Sequence, residues 1–174
     1  MHPETYEENE FPVAYLLTFR TYGTWLHGHE RGSITRSGKV LPGSFKLEPN
    51  VPLRESMTQA QSQPSVTLDE RQRGLVRQAI VETCDYRRYT LHALNVRTNH
   101  AHSVISKSIK PEKIVNDLKA YATRKLRENR QFGINEKVWS RGASTRYLWK
   151  PHHLAGAIDY VLYCQEDIPF EFRD

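Results

Sequence analysis

The amino-acid sequence predicts an α+β fold, a sandwich of the split βαβ, ferredoxin-like kind in which helices cover an antiparallel sheet. Three observations predict it. Short runs rich in β-branched and aromatic residues alternate with stretches of 3.6-residue apolar periodicity. The elements so read fall in the order strand, helix, strand, strand, helix, strand, helix. Only a two-residue turn separates the second strand from the third, which makes them a hairpin.

The first strand is predicted over Pro12 to Thr21, where Val13, Ala14, Tyr15, Leu16, Leu17 and Phe19 form a run of strand length that Gly23 ends. From about Glu30 to Thr67 the chain is rich in Ser, Gly, Pro and Gln with little apolar periodicity, which reads as a long loop or flexible insertion. Thr67 is the expected N-cap of a helix running through Leu75, Ile80, Val81 and Cys84 to about Tyr86. Tyr89 to Arg97 and His100 to Ser106 read as the hairpin strands, with Thr98 and Asn99 in the turn. Pro111 suits the first turn of a second helix, whose stripe Ile114, Val115, Leu118, Ala122 and Leu126 faces the core and which ends over Glu128 to Gly133. Val138 and Trp139, then Tyr147 to Trp149, bracket a basic segment expected to form a last strand or ribbon. A final helix follows from about Pro151 to Gln165.

A chain of 174 residues with 38% hydrophobic content has the size of one domain, so residues 1–174 are expected to fold as a single unit. No apolar run approaches the roughly 20 residues needed to span a bilayer, and the acidic start lacks signal-peptide features, which makes a cytoplasmic location the expectation. Cys84 and Cys164 form neither a close ligand pair nor a disulfide framework and read as thiols. The formal charge is +5 and residues 1–11 carry four glutamates without Lys or Arg, leaving +9 on the rest. That balance favours a polyanionic partner.

Chemistry centres on Asn99-His100-Ala101-His102. Side chains at i and i+2 of a strand share a face about 7 Å apart, so two imidazoles there can lean onto one divalent ion; the bland reading is two partly exposed histidines beside a turn. A second pair, His27 and His29, lies in a glycine-flanked loop where nothing fixes ring direction. Two histidines alone leave coordination positions for a further ligand, water or a substrate oxygen, as a reactive site requires. In the last helix, Leu154, Ile158, Val161, Leu162 and Gln165 cluster on one stripe while Tyr160 points about 160° from Ile158 at 100° per residue. That makes Tyr160 a nucleophile candidate, against the alternative of an exposed or locally packed aromatic. Tyr121 lies at the edge of an apolar face and reads as packing. Between Lys137 and Lys150, Trp139, Tyr147 and Trp149 alternate with Arg141, Arg146 and Lys150, a pattern that suits single-stranded nucleic acid or, equally, a strand edge with buried aromatics.

Together these motifs resemble the single-tyrosine HUH transposases, the small insertion-sequence transposases and the related REP-associated tyrosine transposases. His100-Ala101-His102 matches the two histidines around one apolar residue that give the family its name. Asn95 to His100 looks like the approach to it, Ile158-Asp159-Tyr160-Val161 stands where the family places its nucleophile, and Trp139 is similar to a family tryptophan. The resemblance spans roughly residues 12–166. It implies a C-terminal helix carrying the tyrosine, a divalent ion (Mg²⁺ or Mn²⁺) on His100 and His102, and a partner of single-stranded DNA with a hairpin or repeat element. It further implies Tyr160 attack on a phosphodiester to give a 5′-phosphotyrosine, and an assembly that is monomeric or homodimeric. The basic, aromatic segment itself makes Arg141, Arg146 and Trp149 the expected DNA contacts. The family supplies a third ligand, Gln or Asn, one helical turn after the tyrosine. Here position 164 is Cys and the nearest candidate is Gln165. Two other classes fit parts of the pattern: a non-catalytic nucleic-acid-binding module with an RRM-like sheet, and a metal-dependent phosphodiesterase without a covalent intermediate.

Overall fold

Seven elements follow the predicted order in the computed structural model, which describes residues 11–24 and 61–163. They are β1 (Ala14–Arg20), α1 (Glu70–Arg87), β2 (Thr90–Val96), β3 (His100–Ser106), α2 (Pro111–Glu128), β4 (Ser144–Leu148) and α3 (Pro151–Tyr163). The strands form one sheet in the order β2-β3-β1-β4, every neighbouring pair antiparallel. The interleaved order means that the hairpin β2–β3 is joined to β4 only through β1.

Strand β1 is central and both of its faces are covered, which is why it reads in sequence as a continuous apolar run rather than an alternation. Tyr15, Leu17 and Phe19 enter a core with Val76, Ile80 and Cys84 of α1 and Ile114, Leu118 and Leu126 of α2. Ala14 and Leu16, on the opposite parity, enter a second core with Ala93, Val104, Leu148 and, from α3, Ala157 and Val161. Helices α1 and α2 therefore cover one face of the sheet and α3 the other. Trp139 closes the end of the first core, edge-on to Phe19 at a centroid distance of 5.0 Å, with its indole N–H donating to Thr123 Oγ1.

The buried stripe of α2 is the predicted one, joined by Pro111 and Asp117. Asp117 is tolerated there because Tyr89 Oη donates to it at 2.6 Å and Lys113 Nζ at 2.7 Å, with Arg87 Nε at 3.6 Å. Helix α1 departs from its expected start. Its N-cap is Asp69, in a capping box with Gln72, and not Thr67. Leu68 is drawn out of the helix because its N–H donates to Thr98 O in the β2–β3 turn at 2.7 Å and its side chain is buried.

The end of the predicted long loop is fixed to this body: Val66 N–H donates to Tyr22 O, Gln63 Nε2 to Lys137 O and Ser65 Oγ to Gly23 O. Gly23 has φ +73°, and a Cβ there would lie 2.7 Å from Ser65 Oγ, so this turn needs glycine. Residues 30–60 of that loop, with His27 and His29, lie outside the described residues, as do Cys164 and Gln165. Cys84 is a buried free thiol that burial pushes up to about 12. Among the described residues no helix is long and apolar enough to cross a membrane.

Candidate active site

The period of β3 sends Ala101 and Ile105 into the helical core and leaves His100, His102 and Val104 on the α3 face. Register decides what surrounds them. His102 stands opposite Thr18 of β1 on one side and Asn95 of β2 on the other, and His100 stands opposite Arg20. The two rings pack edge to face with centroids 4.6 Å apart. His100 Nδ1 lies 2.6 Å from Asn99 Oδ1, an oxygen that only accepts, so Nδ1 is the donor of that bond. His102 Nδ1 lies 2.7 Å from Thr18 Oγ1. In both rings Nδ1 is thus occupied by a neighbour, the arrangement that orients an imidazole to use Nε2 elsewhere.

His102 is buried, and its surroundings keep it neutral. Burial brings its pKa down to about 3, with His100, Arg20 and Arg97 acting in the same direction.

Helix α3 crosses above these histidines. Its buried positions are Ala157 and Val161, with Leu154, Ile158 and Tyr160 packed against the same core, while Leu162 is 43% exposed. The helix is therefore rotated relative to the expected stripe: the small Ala157 is fully buried in the second core, and Tyr160 packs against that core instead of pointing away from it. The Tyr160 ring lies 5.6 Å from that of His102, edge to face. Asn95, beside His102 in the register, donates from Nδ2 to the Val161 carbonyl at 3.1 Å, which ties the last turn of α3 to β2.

Between α3 and the sheet lies a cavity of about 170 Å³. Leu16, Thr18 and Arg20 of β1, His102 of β3, Ser144 and Arg146 of β4 and Tyr160 of α3 line it. Sequence reasoning did not single out Thr18, Arg20, Asn95 or Ser144. Arg20 carried a signal, a cation closing an otherwise apolar strand. Thr18, Asn95 and Ser144 carried none, because their role comes from pairing with strands far away in the chain.

The residues expected to contact DNA separate. Arg146 lines the cavity. Tyr147 and Trp149 stack with centroids 6.1 Å apart and planes 15° apart and are about half exposed, and Tyr147 meets Tyr15 edge to face on the sheet face opposite Arg146. Arg141 is exposed in the segment before β4, beside Ser140 and Gly142, whose carbonyls accept from Lys119 Nζ. Tyr121 sits on the helical side of the molecule against Tyr86 and Arg124, remote from the histidines.

Residues 46–161 match the family model of IS200-like transposases. The chain belongs to this family. Two solved structures are similar to this IS200-like chain. One is a REP-associated tyrosine transposase bound to a REP hairpin, at 13% identity and a TM-score of 0.47 over 92% of this chain and 70% of that one. The other is a candidate transposase from Deinococcus radiodurans, at 14% identity and 0.47 over 92% and 95%. No curated protein matches the chain.

Proposed function

We propose that this transposase is a single-stranded DNA endonuclease and strand transferase whose nucleophile is Tyr160. The observation that carries the reading is the edge-to-face approach of the Tyr160 ring to His102, with His100 beside it, on one face of the sheet.

In the proposed reaction the Tyr160 oxygen bonds to phosphorus as the phosphorus–O3′ bond breaks, leaving a 5′-phosphotyrosine and a free 3′-hydroxyl. Attack by a 3′-hydroxyl reverses the step and releases the phenol. The link conserves the energy of the broken bond, so no nucleotide cofactor is required. The phenol must give up its proton to attack, and a 3′-oxygen must gain one to leave.

His100 and His102 fit the nitrogen part of a divalent-ion site, since both are held by Nδ1 and His102 is kept neutral. Among the described residues no third His, Cys, Asp or Glu joins them, and Gln165 is proposed to complete the protein ligands. Mg²⁺ or Mn²⁺ bound there would supply charge stabilisation for the phosphate oxygens and the leaving 3′-oxygen. Asn99 and Thr18 fix the ring directions, and Asn95 holds the tyrosine helix over them.

The partner is proposed to be a single strand with a hairpin or repeat element. A strand crossing the β4 edge meets a guanidinium on one face at Arg146 and a stacking shelf of Tyr147 and Trp149 on the other, with Arg141 adding charge. We further propose that residues 1–174 act as one domain, in the cytoplasm, alone or as a homodimer.

The test is adduct formation. Wild-type protein with Mn²⁺ and a pool of single-stranded DNA should give a protein–DNA species stable on a denaturing gel, and Tyr160→Phe should abolish it while strand affinity is kept. Cleavage that survives Tyr160→Phe would mean hydrolysis without a covalent intermediate, and an adduct mapped to Tyr121 or Tyr163 would overturn the assignment.

A further inference from the structure

The cavity beside the proposed nucleophile has a charge and size that neither the histidine pair nor the tyrosine explains. Among the described side chains that line it, two are guanidiniums and none is acidic. Arg20 enters from the end of β1 that pairs with His100, and Arg146 enters from β4, where it is in register with Leu16. Ser144, in register with Thr18, adds a hydroxyl to the lining. At about 170 Å³ the space equals a handful of waters. It falls below the roughly 300 Å³ at which small-molecule pockets begin, too small for a whole nucleotide but enough for one anionic group. Two guanidiniums lining such a space suit the bidentate recognition of tetrahedral phosphate oxygens.

We infer that Arg20, with Arg146 and Ser144, forms the seat of the scissile phosphate, which makes Arg20 a catalytic residue. The inference rests on the reading of Tyr160 and the histidines as a strand-cleaving centre. Tyr160 and His102 line the same cavity, so a phosphodiester seated there has the phenol and both arginines around it. Arg20 and Arg146 then hold two non-bridging oxygens and balance the charge that builds on them as the Tyr160 oxygen joins and the 3′-oxygen leaves.

The test neutralises one phosphate at a time. The probe is the tightest-binding single strand selected from a random DNA pool by the full-length Tyr160→Phe protein, remade with a single uncharged methylphosphonate linkage at each position. One linkage should lower affinity about tenfold for Tyr160→Phe but less than about twofold for Arg20→Gln in the same background. At every other linkage the two proteins should lose affinity equally, which also controls for misfolding of the variant. Arg20→Lys, which keeps charge and loses the fork, should fall between them. Adduct formation by wild-type protein should place the tyrosine on that same linkage. If the losses are equal at every linkage, or if the tyrosine is found on a different linkage from the coupled one, the assignment of Arg20 is overturned. Failure to select any strand would overturn it together with the parent reading. A coupled linkage without any adduct keeps the phosphate seat and removes Tyr160 as nucleophile, so the two claims fail separately.

Discussion

Proton binding at His102 gives the site a signature in the stability of the whole protein. Burial, reinforced by His100, Arg20 and Arg97, holds this imidazole near a pKa of about 3, whereas the unfolded chain leaves it at about 6.5. Between those values the unfolded state binds a proton that the folded state refuses. Stability is therefore fully present above about pH 6.5 and is lost as pH falls toward about 3. One proton corresponds to about 1.4 kcal/mol per pH unit, and integrating from about pH 6.5 down to about pH 4.5 gives about 2 kcal/mol. The assay is urea unfolding of wild type and His102→Gln across that range with a chelator present. His92, which burial also depresses, and the carboxylates titrate in both proteins and largely cancel in the difference. Wild type should lose about 2 kcal/mol more than the variant over the interval. Parallel stability curves would show that His102 is protonated in the folded protein and that the neutral-imidazole argument is wrong.

Asn95→Ala removes the donor to the Val161 carbonyl, a bond worth about 1 kcal/mol. Amide exchange in the last turn of α3 should speed up about fivefold while β2 and β3 are unchanged; uniform acceleration would mean that Asn95 supports the sheet and not the helix. Asp117→Ala strands the buried Tyr89 hydroxyl and should cost about 2–3 kcal/mol in urea unfolding, and a loss below about 0.5 kcal/mol would show the Arg87, Lys113 and Tyr89 cluster to be dispensable. Trp149→Ala should weaken single-strand binding by about 1–3 kcal/mol with the salt slope unchanged, because a stacked ring releases no counterions; unaltered affinity would make the Tyr147–Trp149 pair a structural feature of the β4 edge.

Local periodicity in the sequence determined the order of the seven elements, the buried stripe of α2 and the pairing of His100 with His102 on one face. These follow from the period of 2 in a strand and 3.6 in a helix, which a few consecutive residues reveal. The helix start at Asp69 was less accessible, since Leu68 is pulled into an extended conformation by a carbonyl 30 residues further along the chain. The rotation of α3 was misjudged because hydrophobicity counted Leu162 and passed over Ala157, whereas close packing on a sheet selects the small side chain. Only the tertiary structure decided that Thr18, Arg20, Asn95, Ser144 and Arg146 share a face with the histidines. Those relations depend on the antiparallel register of β1 with β3 and β4, whose paired residues are 80 or more positions apart. A one-residue slip in either pairing would keep every local pattern and dissolve the site, because it would turn each of these side chains to the other face.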